Sequence, residues 1–145
     1  MAKEVASEID IEASAESIWQ ELINFSAYPS WNPFVKSIEG TPGKGNKLSI
    51  LVCPPNNKGM RFKPVVREYE ENRKLAWLGH VLFPGIFDGA HSFELVPLSE
   101  NKTRFVQRET FSGVLLPMFW SKLSTDTHQG FVQMNQALKS RCESK

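Results

Sequence analysis

The sequence predicts an α+β fold in which short-looped antiparallel strands form a sheet covered by one long C-terminal helix. Two features of the pattern carry that prediction. Up to Gly113, most segments alternate apolar and polar residues with a period of two, with a single helical interruption near the start. From Val114 onward the period becomes helical and stays so. A sheet with one wet face must bury the other, and an amphipathic helix is the natural cover. Strands much longer than a helix is wide curl around it, and the space left between the two layers is a cavity.

The first element, "EVASEIDI" (Glu4 to Ile11), places Val5, Ser7, Ile9 and Ile11 on one side of a strand. In "SAESIWQELIN" the period changes: Ser14 can cap, Glu16 suits the positive helix end, and Ile18, Leu22 and Ile23, flanked by Trp19, form an apolar stripe. "YPSWNPF" (Tyr28 to Phe34) interrupts with two prolines and predicts a rigid loop or a single helical turn. About six strands come next. "VKSIEG" is short, "TPGKGN" is turn chemistry, and "KLSILV" alternates Leu48, Ile50 and Val52. "MRFKPVVREYE" alternates Met60, Phe62, Pro64 and Val66, and Pro64, which has no N–H to donate, predicts a bulge or an edge there. "KLAWLGH", "FDGAHSFELVPL" and "TRFVQRETFSG" complete the set, separated by turns at "FPG" and "SENK". In the terminal helix Leu116, Trp120, Leu123, Thr127, Phe131, Met134 and Leu138 fall within about 40° of one line. Roughly 25 residues of helix would run about 40 Å.

Composition narrows the function classes. The chain has 145 residues, read as one domain spanning 1–145, with 17 basic and 16 acidic residues and a net charge of +1. Its lysines and arginines are scattered, which argues against nucleic acid as a ligand. No apolar run reaches the ~20 residues of a membrane span, and the first residues lack a signal-peptide core, so the expected location is cytoplasmic. Cys53 and Cys142 fit no metal spacing, nor do His80, His91 and His128, so no metal site is expected. "GKGNKL" lacks the ending of a phosphate loop, and no cofactor motif occurs. Ser124, Asp126 and His128 hold the letters of a hydrolase triad, but no nucleophile elbow accompanies them and Asp126 points elsewhere on the helix.

The order of elements, with "YPSWNPFV", "KLAWLG", "GAHSFEL", "TRFVQRETFSG" and the closing "FVQMNQALK", resembles the START-like (SRPBCC) superfamily, most nearly its polyketide cyclase/dehydrase-like branch. The resemblance covers the whole length. It implies a helix-grip fold, a seven-stranded curved antiparallel sheet around the C-terminal helix, with a hydrophobic ligand cavity between them. Members of the superfamily include lipid and hormone binders, aromatase/cyclases and protein-interaction modules, so fold alone does not choose a chemistry.

The candidate site grows from "FDGAHSFEL". Its strand puts Phe87, Gly89, His91, Phe93 and Leu95 on one face, a histidine among oily neighbours. A turn at Ser99 and Glu100 pairs residues whose numbers sum to about 200, setting His91 opposite Glu109, Phe93 opposite Gln107 and Leu95 opposite Phe105. On that register His91 and Glu109 share the inward face. They could fix a ligand's carbonyl or hydroxyl, transfer its protons, or satisfy one another and specify register. Trp31, Phe34, Phe62, Trp77, Phe93 and Trp120 are candidates for an apolar lining around them, because buried tryptophans need an N–H partner. Thr127 is a further candidate contact, the one hydroxyl in the helix stripe. Two very apolar loops, "VLFPGIF" (Val81, Leu82, Phe83, Pro84, Ile86) and "GVLLPMFW", are expected at the cavity mouth. The pattern leaves three functions open: a binder or carrier of a small hydrophobic molecule, lipid-like or polycyclic; an enzyme of cyclase, dehydratase or isomerase type using His91 and Glu109 as acid and base; or an interaction module.

Overall fold

Alternation becomes strand wherever the expected turns allow it. The computed structural model describes residues 2–55, 57–81 and 83–145, so Leu82 of the first apolar loop lies outside the described residues. In chain order the elements are β1 (Lys3–Ile11), α1 (Ala15–Ile23), a 3-10 turn (Phe25–Ala27), α2 (Tyr28–Trp31), β2 (Val35–Glu39), β3 (Ser49–Val52), β4 (Met60–Phe62), β5 (Val65–Glu70), β6 (Lys74–Val81), β7 (Phe87–Ser99), β8 (Lys102–Ser112) and α3 (Leu116–Glu143). Five strands form an antiparallel sheet in the order β1-β8-β7-β6-β5, and three more form a second sheet, β2-β3-β4. Together they wrap α3, a helix-grip arrangement.

The strand count corrects the expectation of seven. "MRFKPVVREYE" is two strands, because Pro64 cannot donate to a ladder and splits the run into β4 and β5. The split also divides the sheet. Across it, an isolated Lys47–Val65 bridge and loop hydrogen bonds, Leu48 N–H to the Pro64 carbonyl among them (2.8 Å), keep the two sheets in register.

Each helix is built as its residues suggest. Ser14 caps α1, its hydroxyl accepting from the Ser17 N–H at 3.1 Å. Trp19 and Leu22 of α1 are fully buried. "YPSW" makes one turn of helix with Pro29 in its first turn, and Asn32 then accepts from the Phe34 and Val35 N–H groups (3.0 and 2.9 Å), which turns the chain into β2. The terminal helix is 28 residues long rather than 25. Its buried positions, Leu116, Thr127, Gly130, Phe131, Met134, Asn135, Leu138 and Cys142, crowd toward its C-terminal half. That half is clasped to α1 by Glu21, which accepts from Arg141 and Lys145.

The β7–β8 register is the one the Ser99–Glu100 turn demands: His91 pairs with Glu109, Phe93 with Gln107 and Leu95 with Phe105. At the Phe93 level the interior is solid. Phe93 stacks on Phe105 (5.8 Å between centroids, 15° between planes), Trp77 packs edge-on to Phe93, and Phe131 of α3 closes over His91. Further along β7, at Gly89, the layers separate.

Candidate functional site

The separation is a cavity of about 500 Å³. Its walls come from both sheets and from the N-terminal half of α3. Phe34, Val52, Met60, Phe62, Phe87, Phe111, Phe119 and Leu123 make it mainly apolar, while Glu109 and Thr127 add polar groups within. Two glycines create room. A Cβ on Gly89 would stand 2.6 Å from a Glu109 carboxylate oxygen, so the bare backbone there leaves that carboxylate its present position. A Cβ on Gly130 would stand 2.3 Å from Phe34 Cδ1, so Phe34 reaches the wall only by lying against a helix with no side chain at that point.

Behind Glu109 runs a chain of buried polar groups. His91, 4% exposed, brings Nδ1 to 3.3 Å from Glu109 Oε1. Its Nε2 lies 3.1 Å from Gln107 Oε1, and Gln107 Nε2 in turn donates to Asn135 Oδ1 (2.7 Å) and, at 3.4 Å, to the Phe131 carbonyl. Asn135 passes the chain on to the Ser7 hydroxyl (3.2 Å). A backbone carbonyl can only accept, so the Gln107 amide nitrogen faces α3 and its oxygen faces His91. That assignment places a hydrogen on His91 Nε2. The remaining ring nitrogen, Nδ1, faces the Glu109 carboxylate oxygen. Glu109 Oε2 turns away from His91 toward Gly89 and the cavity.

The sequence candidates divide sharply. Phe34, Phe62, Glu109 and Thr127 border the cavity. His91, Trp77 and Phe93 do not; they belong to the filled layer behind it, where Trp77 packs on His91 at 5.3 Å and on Phe93 at 5.3 Å. Trp31 lies at the α1 end, against Tyr28 and beneath the Arg141 guanidinium. Trp120 packs edge-on to Phe111 under the Lys3 ammonium. Buried tryptophan is no marker of the lining in this chain, since Trp19 and Trp31 bury their indole N–H without a partner among the described residues.

Other residues complete the mouth. His80 borders the cavity with its Nδ1 2.7 Å from Asp88 Oδ1, and Asp88 also accepts from the Gly85 N–H. The β6–β7 register pairs His80 with Asp88, so a reading of that hairpin's register could have found them. Across the opening, Lys122 donates to Asp126 (2.6 Å) and to Asn57 Oδ1 (3.0 Å), and Asn57 donates back to Asp126 (3.1 Å). Lys122 and Asp126 are legible as a helical i, i+4 pair; nothing local signals Asn57. Both apolar loops stand at this end, tied together by the Val114 N–H to the Gly85 carbonyl (3.0 Å) and the Leu115 N–H to that of Ile86 (3.1 Å). Among the described residues no three His, Cys, Asp or Glu side chains gather as a metal site, and no helix is long and apolar enough to cross a membrane.

Comparison with known structures finds the same architecture in proteins of distant sequence. The Zhui aromatase/cyclase of Streptomyces sp. R1128 superposes with a TM-score of 0.80 at 14% identity, over 99% of this chain and 94% of the other. A START superfamily protein from Mycobacterium smegmatis gives 0.73 at 24% identity, over 97% of each chain. Norcoclaurine synthase from Thalictrum flavum, in complex with dopamine and hydroxybenzaldehyde, gives 0.74 at 14% identity, over 99% of this chain and 88% of the other. A search of curated proteins finds no match. Residues 2–143 match the family model described as polyketide cyclase / dehydrase and lipid transport, and a match over that length, on a START-type helix-grip fold with a cavity beside the long helix, makes this chain a member of that family.

Proposed function

We propose that the protein binds a small, largely apolar molecule in the cavity, with Glu109 as the polar group that orients it. The observation supporting this reading is a hollow of about 500 Å³ with mainly apolar walls, into which one carboxylate oxygen is directed. That volume is in the range of pockets that enclose ligands of drug size. Burial of ligand surface at about 25 cal/mol per Å² supplies affinity, and Glu109 Oε2 selects a ligand carrying an N–H or O–H donor. Lipid-like and polycyclic molecules both meet that description, and the family's description, which spans lipid transport and cyclase/dehydrase chemistry, is compatible with either.

A second reading is favoured by one feature, the approach of His91 Nδ1 to within 3.3 Å of Glu109 Oε1 at the cavity wall. With Gln107 holding the ring, Glu109 could accept a proton from an acidic C–H or O–H of the ligand and return it elsewhere, as a cyclisation, dehydration or isomerisation requires. Two measurements separate the readings. Native mass spectrometry of freshly purified protein looks for a retained small molecule, and retention and conversion of that molecule are then compared between wild type and Glu109→Gln. The binding reading predicts weaker retention in the variant and no conversion by either protein. The catalytic reading predicts near-normal retention in the variant and conversion by the wild type alone. A cavity that retains nothing and takes up no apolar dye would sink both.

A further inference from the structure

One polar side chain of the hollow is left without a partner. Among the described residues the buried side chains that carry a hydroxyl are Tyr28, Thr103 and Thr127. Tyr28 donates to the Leu22 carbonyl (2.6 Å) and Thr103 to that of Ala13 (2.9 Å). Thr127, 4% exposed, has no hydrogen-bond partner for its hydroxyl among the described residues. A helical hydroxyl ordinarily turns back to a carbonyl of the preceding turn. Its neighbours on α3 do so, Ser124 and Thr125 both donating to the Ser121 carbonyl (3.1 and 3.2 Å). Thr127 instead borders the hollow from the helix side, while Glu109 borders it from β8. Polar groups nearer the opening are already engaged, Lys122, Asn57 and Asp126 with one another and His80 with Asp88.

We propose that Thr127 is a specificity-determining residue whose hydroxyl donates to a neutral acceptor oxygen of the ligand, a carbonyl above all. The proposal rests on the reading of the hollow as a ligand site and adds to Glu109 a second point of recognition on the other layer. A hydroxyl has one hydrogen to give, and a donor held away from bulk water without an acceptor costs stability. A ligand oxygen arriving there makes a bond that the empty protein lacks. The surroundings choose a neutral oxygen over an anionic one. Leu123, one turn earlier on α3, and Phe34, which lies against the helix at Gly130, are apolar walls that offer no counter-charge. The ligand therefore carries two polar ends, a donor for Glu109 on the sheet side and an acceptor for Thr127 on the helix side. A hydrocarbon chain with a single polar end would satisfy one wall only.

The test is equilibrium dialysis of the purified chain against 2-acetonaphthone and 2-isopropenylnaphthalene, probes of one shape in which a carbonyl oxygen is exchanged for a methylene. Thr127→Val keeps the branched shape and removes the hydroxyl. It should lower the affinity for the ketone about fivefold, the worth of one hydrogen bond, and leave that for the hydrocarbon unchanged. Thr127→Ser, which keeps the hydroxyl, should preserve the wild-type ratio between the two probes. The empty protein supplies a second readout. If the hydroxyl has no partner, Thr127→Val melts at or above the wild-type temperature. A valine variant that melts more than about 2 °C lower would show a hydroxyl already satisfied within the protein and would overturn the proposal. So would an equal effect of Thr127→Val on both probes. Neither probe carries an O–H or N–H for Glu109, so the roles of Thr127 and Glu109 fail separately. A wild type that binds neither probe would overturn this proposal together with the reading of the hollow on which it rests.

Discussion

Replacing Gln107 with leucine tests the polar chain behind the site. Gln107 is fully buried between His91 and Asn135, themselves 4% and 2% exposed, and accepts from one while donating to the other. Leucine keeps much of the volume and removes both functions. The His91 Nε2–H loses its acceptor and Asn135 Oδ1 loses its donor, while the Phe131 carbonyl, 3.4 Å from Gln107, loses only a long contact. Each orphaned buried group costs about 1–3 kcal/mol, and the added apolar burial returns part of it, so the expected loss is about 3 kcal/mol. In a domain of this size that lowers the melting temperature by roughly 10 °C. Differential scanning calorimetry at pH 7 measures it. The double variant Gln107→Leu, Asn135→Leu should recover part of the loss, because the Asn135 oxygen is then no longer stranded opposite an apolar side chain. A single variant melting within about 2 °C of wild type would refute the reasoning, since it would mean that water or a rearranged partner already serves these groups.

Three further substitutions or modifications have outcomes set by local geometry. Gly130→Ala gains about 1 kcal/mol of helix propensity, but its methyl would stand 2.3 Å from Phe34, and overpacking of that kind costs about 1–3 kcal/mol. Urea unfolding should show net destabilisation and dye titration a smaller cavity; a stabilised variant of unchanged capacity would contradict this. Burial would raise the Glu21 carboxyl, but hydrogen bonds from Lys145 and Arg141 outweigh it and hold the group below its ordinary value. A folded-state value below the unfolded one gives stability that is complete above the unfolded value and is lost as pH falls through the folded one. Glu21→Gln should therefore lower the urea midpoint at pH 7 and differ little from wild type near pH 3; a constant difference across that range would contradict the assignment. Burial pushes the Cys142 thiol up to about 11, while Cys53 is half-buried. Iodoacetamide at pH 8 should modify Cys53 first and Cys142 only on unfolding, as peptide mass spectrometry would show.

Much of the architecture is legible in the sequence because it depends on period and turns. The His91–Glu109 pairing can be read from one turn, since a hairpin's register is set by where it reverses. The break at Pro64 is visible too, as missing hydrogen-bonding capacity, although its result, two sheets in place of one, is not. What the pattern cannot supply is depth. Phe87, Gly89, His91 and Phe93 share one face of one strand, yet Gly89 faces a hollow and Phe93 a filled core. The difference is set by the helix opposite, where Phe131 and Asn135 press down at one level and Leu123 and Thr127 stand off at the other. Alternation says which side a residue faces and nothing about how far away the opposing layer is. For that reason it assigns Trp77 and Phe93 to the lining and passes over Phe87, Phe111 and Phe119.

The division of α3 into a pressed half and a raised half has a consequence for how such a protein can diverge. Residues that secure the architecture, Glu21 with Arg141 and Gln107 with Asn135, sit apart from those that shape the hollow, Phe62, Phe111, Phe119 and Leu123. Sequence drift in the second group can reshape the hollow without touching the first. On α3 itself the two tasks fall on separate stretches, Phe119 and Leu123 toward its start and Asn135 and Arg141 toward its end, so each can change while the other is kept.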